Sequence, residues 1–233
     1  MAMMNTKMAK MKPEKNPYRH ADKALKKLYK LIEALFQRMA TRASWDELNV
    51  LQETKVIYDD VETQAEREYL QIARKAYDDA GKEIVAVQPE RKSRLNAPTV
   101  LFIAALLLAY NDKTQYVYRH ELERKRARLN ESLIAINDNP IIFNSNATRE
   151  ALRRGIHLFQ RQVRNMSDTV TDEARRQAFD DTGVTKVRWI TQQDEKVCAI
   201  CRDRNGVVYP LYDVPAKHPN CRCYLIPVEF KED

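Results

Sequence analysis

The sequence predicts a mainly α-helical protein that ends in a small β element. This is an α+β chain in which long amphipathic helices are followed by a zinc-stabilised, short-stranded module. Three observations carry the prediction. Apolar residues recur at three- and four-residue steps through most of the 233 residues. Only four glycines are present, too few for the many tight turns of a sandwich or barrel. After Gly183 the period changes to two, and all four cysteines lie between positions 198 and 223.

Taken in order, residues 1–15 combine five methionines with several lysines and no hydrophobic period, and read as a flexible basic N-terminus. A helical domain is expected over 16–138. Pro17 suits a first helical turn, and Leu25, Leu28, Leu31, Ile32, Leu35, Phe36 and Met39 then form one apolar stripe. A second helix is expected from Ser44, where Ser44-Trp45-Asp46-Glu47 has the capping-box form. Its stripe runs through Leu48, Leu51, Tyr58, Val61, Ala65, Tyr69, Ile72 and Ala76, with Gly81 as its left-handed end. Pro89 and Pro98 bracket a connection to a third helix from about Thr99. Its apolar run from Val100 to Ala109 is about half of the roughly 20 residues a membrane span needs, so a buried helix is expected and no membrane partner. Asn137-Asp138-Asn139-Pro140 would end the helical domain.

The last domain is expected over 139–233. One helix capped by Asn146 or Thr148 carries Leu152, Ile156, Phe159 and Val163, and another runs from about Ser167 to Gly183. Val184 to Thr191 is β-branched and aromatic and reads as a strand. Val207–Tyr209 and Tyr224–Ile226 are two shorter strands of the same module, about 186–228.

The cysteines carry the chemistry. Cys198-x-x-Cys201 is followed, sixteen residues on, by His218-Pro219-Asn220-Cys221-Arg222-Cys223. A C-x-x-C turn brings two sulfurs to one point, and a second pair from across a loop closes a tetrahedron suited to Zn2+. One structural zinc is expected on Cys198, Cys201, His218 and Cys221, with Cys223 as the alternative fourth ligand. Gly206 sits in the turn between the halves, where positive φ is useful. Trp189 is expected as core beneath the loop, and Asp194 as an acceptor for backbone N–H groups beside the first turn. A disulfide framework needs an oxidising compartment, and Met1 to Lys15 is charged with no apolar core, so no secretion signal is read and a reducing cytoplasm is expected. A thioredoxin-like motif would need a βαβ neighbourhood, and a zinc deaminase would need His-x-Glu before its cysteines.

The net charge is +7, and residues 1–44 hold eleven basic residues against three acidic ones, an excess of eight. Lys23, Lys26, Lys27 and Lys30 are therefore candidate contacts for a polyanion such as DNA. A solvated helix face is the ordinary alternative. His20, His120 and His157 stand alone on helical segments and are assigned no role.

The C-terminal residues resemble the phage Mu F-like minor head protein family, also called the phage head morphogenesis domain. The resemblance covers about 148–228 and rests on Trp189-Ile190-Thr191, Asp194, Cys198-Ala199-Ile200-Cys201, Asn205-Gly206 and the His218 to Cys223 run. The preceding segment from Ser167 to Val184 is similar as well. One departure is Thr169-Val170-Thr171-Asp172, where the family usually has Thr-Glu. The resemblance implies a non-catalytic minor capsid protein of a tailed bacteriophage. It would associate with the portal protein during procapsid assembly, with scaffold or major capsid protein and packaged DNA as further contacts. Its location would be the virion, in the capsid interior near the portal, with no small-molecule substrate. The competing reading is a zinc-containing nucleic-acid-binding regulatory protein. An enzyme finds no persuasive active-site pattern in residues 1–180.

Overall fold

The structure is a computed structural model that describes residues 17–40, 50–94, 120, 123–124, 126–128, 131, 145–192, 195–218 and 221–232. Three long helices dominate: α1 (Arg19–Ala40), α2 (Val50–Val85) and α3 (Ser145–Asp181). A 3-10 turn, Pro89–Arg94, follows α2. A short helix α4 (Ala199–Arg204) and strands β1 (Val184–Ile190), β2 (Val208–Pro210) and β3 (Tyr224–Phe230) make up the C-terminal part. The strands form one antiparallel sheet in the order β2-β1-β3. The mainly helical class with a terminal β element is as the sequence predicts.

The expected capping box at Ser44, the apolar run after Thr99 and the Asn137 to Pro140 break lie outside the described residues, as do residues 1–15. Two expectations change. Gly81 does not end α2, which continues to Val85 with Gly81 buried inside it. Burial of Ala80 and Ile84 on either side rewards one more helical turn, and this outweighs the glycine's ability to stop the helix. Ser167 does not start a new helix either. It is fully buried in the middle of α3, between the buried Val163 and Val170, and the shared apolar face carries the helix through.

The chain divides into two compact units. One comprises 22–70 and 104–167, the other 1–21, 71–103 and 168–233. In the first, Leu25, Leu28, Ile32, Leu35 and Phe36 of α1 are buried, as the stripe predicts. Phe36 meets Phe159 edge-on with centroids 5.6 Å apart. In the second, Ile72, Ala76, Ala80 and Ile84 of α2 are buried with Val170, Ala174, Ala178 and Phe179 of α3. Gly183 takes φ 75° and ends α3, where its N–H donates to the Asp180 carbonyl at 2.8 Å.

Two buried arginines bind this second unit together. Arg175 on α3 reaches the Glu83 carboxylate at 2.7 and 3.2 Å and the Leu225 carbonyl of β3 at 3.4 Å. Arg91 on the 3-10 turn donates to the carbonyls of Thr182 and Lys231, each at 2.8 Å, and to the Gln88 side chain, with its guanidinium over the Phe230 ring. It thus satisfies an orphan carbonyl at the end of α3 and ties it to the end of β3. Arg91→Ala is expected to lower stability by about 2–4 kcal/mol, since buried carbonyls lose a charged donor. Urea denaturation followed by circular dichroism measures this.

Candidate metal centre

The five candidate donors are carried by two short turns hung on β1. The first is the N-terminus of α4. Cys198 is its N-cap, in an extended conformation, and its sulfur accepts from the Cys201 N–H at 3.4 Å. The Arg202 N–H closes the turn onto the Cys198 carbonyl at 3.0 Å. The end of α4 is stitched back to β1. The Gly206 N–H donates to the Trp189 carbonyl at 2.8 Å, and the Trp189 N–H to the Val207 carbonyl at 2.9 Å. Asn205 Oδ1 accepts from the Thr191 N–H at 3.0 Å. The second turn runs from His218 to Cys221 and is closed by the Cys221 N–H on the His218 carbonyl at 3.1 Å. Cys223 then leads into β3.

These turns bring the donors together. His218 Nε2 lies 3.2 Å from the Cys198 sulfur and 3.1 Å from the Cys201 sulfur. The sulfurs of Cys201 and Cys221 are 3.6 Å apart, well beyond the about 2.05 Å of a disulfide, and all four cysteines are free thiols. The donors group as two triples that share Cys201: Cys198, Cys201 and His218, and Cys201, Cys221 and Cys223. A tetrahedral ion with Zn–S of about 2.3 Å and Zn–N of about 2.0 Å needs sulfurs about 3.8 Å apart and sulfur to nitrogen about 3.5 Å. The observed spacings are a few tenths of an ångström tighter, and the soft thiolate and imidazole set suits zinc. Each triple of donors fits such an ion, and among the described residues no four donors lie within 4.8 Å of one another.

The surroundings divide the thiols. Cys198 is exposed, and the Cys201 backbone N–H foremost holds its thiol below the ordinary cysteine range. Burial, followed by the neighbouring thiols, pushes the Cys201 thiol well up. Burial also raises Cys223, although the Trp189 side chain favours its thiolate. Trp189 is fully buried and packs with Cys201, Cys221 and Cys223, flanked by Val197, Tyr209, Val214 and Leu225. The expectation that it forms core beneath the loop holds. The Arg204 guanidinium covers its ring at 5.3 Å. Gly206 has φ 84°, as its place in the turn predicts. Asp194 lies outside the described residues.

Lys23, Lys26, Lys27 and Lys30 are all exposed on α1, where their spacing sets them along one side of the helix. Lys27 is ion-paired with the buried Glu68 at 3.3 Å. They lie in the other compact unit from the cysteines.

Sequence reasoning missed a polar cluster at the start of β3. The Tyr18 hydroxyl and the Lys217 ammonium lie within hydrogen-bond distance of each other, and each lies within reach of both the Asp172 carboxylate and the Cys223 carbonyl. The departure from the family's Thr-Glu at Thr171-Asp172 was the one signal that touched it.

Gly206→Ala is expected to cost about 1–2 kcal/mol through the left-handed backbone alone, because an added Cβ would meet nothing within 4 Å. The fall in the midpoint of thermal unfolding measures it.

A family model described as Phage Mu protein F like protein matches residues 144–226, which hold the whole cluster. No curated protein and no solved structure gives a significant match. No described helix is long and apolar enough to cross a membrane. Residues 144–226 of this chain, from α3 through the cysteine turns to β3, are thus similar to the phage Mu protein F-like family.

Proposed function

We propose that the protein is a non-catalytic minor capsid protein that acts in head morphogenesis of a tailed bacteriophage. The observation that carries this is the coincidence of the family match with the folded cysteine module. A role in phage head morphogenesis is the coarse reading that the family supports. The finer reading is association with the portal during procapsid assembly, with scaffold or major capsid protein as further partners, in the capsid interior and in the host cytoplasm beforehand. Contact with packaged DNA, or help in its delivery, would come from the exposed lysines of α1.

In this reading one Zn2+ is held by Cys198, Cys201, His218 and Cys221. The 3.6 Å separation of the Cys201 and Cys221 sulfurs and the hydrogen-bonded turn from His218 to Cys221 support Cys221 as the fourth ligand, with Cys223, which shares a donor triple with them, as the alternative. Cys223 then packs against Trp189 as a small apolar residue. The ion's role is structural. It ties strands of seven, three and seven residues into a rigid surface for another protein, because short strands bury little by themselves. Asp194, Trp189 and Gly206 support the turns.

The second reading, a zinc-containing nucleic-acid-binding regulatory protein, is favoured by the four lysines exposed along one side of α1. Binding to duplex DNA decides between the two. A nucleic-acid reader loses affinity by orders of magnitude between about 50 and 200 mM salt. The capsid reading instead expects co-purification with the portal protein at both salt levels.

Native mass spectrometry should show one zinc per chain. Cys221→Ser is expected to lose it and Cys223→Ser to keep it. The reverse result assigns the fourth position to Cys223, and absence of zinc from the wild-type chain removes the metal reading.

A further inference from the structure

The loop that carries three of the five candidate donors, His218, Cys221 and Cys223, also holds the start of α1. Between Leu211 and Cys223 the described residues form neither helix nor strand. Lys217 precedes His218 in this loop, and Cys223 ends it. The Lys217 ammonium lies 2.7 Å from both Asp172 oxygens, 2.7 Å from the Tyr18 hydroxyl and 2.6 Å from the Cys223 carbonyl. An ammonium has three hydrogens, so Asp172, Tyr18 and Cys223 together use all of its donor capacity. The Tyr18 hydroxyl is itself 2.7 Å from Asp172 Oδ1 and 2.7 Å from the Cys223 carbonyl, and gives its one proton to either.

Tyr18 is only 3% exposed, and its ring packs with Tyr224, Ile226 and Ile190. A phenol buried to this degree needs its partners, since an unsatisfied hydroxyl in an apolar site is costly. Three of the polar groups around it belong to two segments. Asp172 stands on the rigid α3, whereas Lys217 and the Cys223 carbonyl stand on the loop. Elsewhere in the loop the Arg204 guanidinium donates to the Ala216 carbonyl at 3.3 Å and the Leu211 N–H to the Thr185 carbonyl at 2.9 Å.

We propose that metal binding at the cysteine and histidine cluster fixes the N-terminal end of α1. The ion holds His218 and Cys221, the loop between them and Cys223 takes one shape, and that shape presents Lys217 and the Cys223 carbonyl to Tyr18. This rests on the zinc reading above. Without the ion the loop no longer holds Lys217 and the Cys223 carbonyl in place, and Tyr18 loses these two partners while keeping Asp172 and its apolar contacts. Coupling between two sites is reciprocal, so loosening Tyr18 weakens metal binding by the same factor.

The test is amide hydrogen exchange on the full chain, read by mass spectrometry, with zinc bound and after its removal by a chelator. Removal is expected to speed exchange over residues 17–25 by about 5–150-fold, while residues 72–80 of α2 stay protected. Tyr18→Phe keeps the ring in its apolar seat and removes only the hydroxyl. It is expected to show faster exchange over 17–25 with zinc still bound, and to bind zinc several-fold more weakly. One zinc bound, with equal exchange over 17–25 in its presence and absence, overturns the coupling and leaves the metal reading intact. Exchange that rises equally over 72–80 assigns the effect to general unfolding and also overturns it. A chain that takes up no zinc overturns both.

Discussion

Convergence of the Cys198, Cys201, His218, Cys221 and Cys223 donors beside a buried tryptophan is the constraint on which the C-terminal module depends. A sheet with only three residues in one of its strands has too little apolar surface to define a single arrangement of the loops around it. Two hydrogen-bonded turns bring the donors from opposite sides, and Trp189 fills the space beneath them. The first turn is anchored on β1 where Asn205, Gly206 and Val207 bond to Thr191 and Trp189, so the central strand sets its position.

The rest of the unit supports that strand through charge placed where backbone groups would otherwise lack partners. Carbonyls at Cys223, Leu225 and Lys231, along and beside β3, accept from Lys217 or Tyr18, from Arg175 and from Arg91. Each donor comes from a different element. A buried cation that answers carbonyls on two elements at once, as Arg91 does, fixes their relative position more tightly than apolar contact can, because hydrogen bonds have direction and van der Waals contacts do not. The Tyr18 phenol is pushed well above the usual tyrosine range, by burial first and the Asp172 carboxylate second, so it remains a donor throughout the physiological range.

The module offers a surface shaped by its turns, and the exposed lysines of α1 belong to a different compact unit.

The sequence by itself determined much of the local structure. Period 3.6 placed the buried faces of α1 and α3, since helical side chains three and four apart share a side whatever they pack against. The switch to period two placed β1, and the cysteine spacing named the donors, because a turn of four residues is a local object. Gly81 and Ser167 show where local preference yields. Each carries a stop or start tendency of about 1 kcal/mol, and the burial of neighbours on a continuous apolar face exceeds it. Only the tertiary structure decided that Cys201 is common to both donor triples, and that Tyr18 meets Asp172 and Lys217 across 154 and 199 positions of chain. Contacts at such separations leave no periodic trace in the sequence, since they arise from the packing of whole elements and not from the spacing of residues within one.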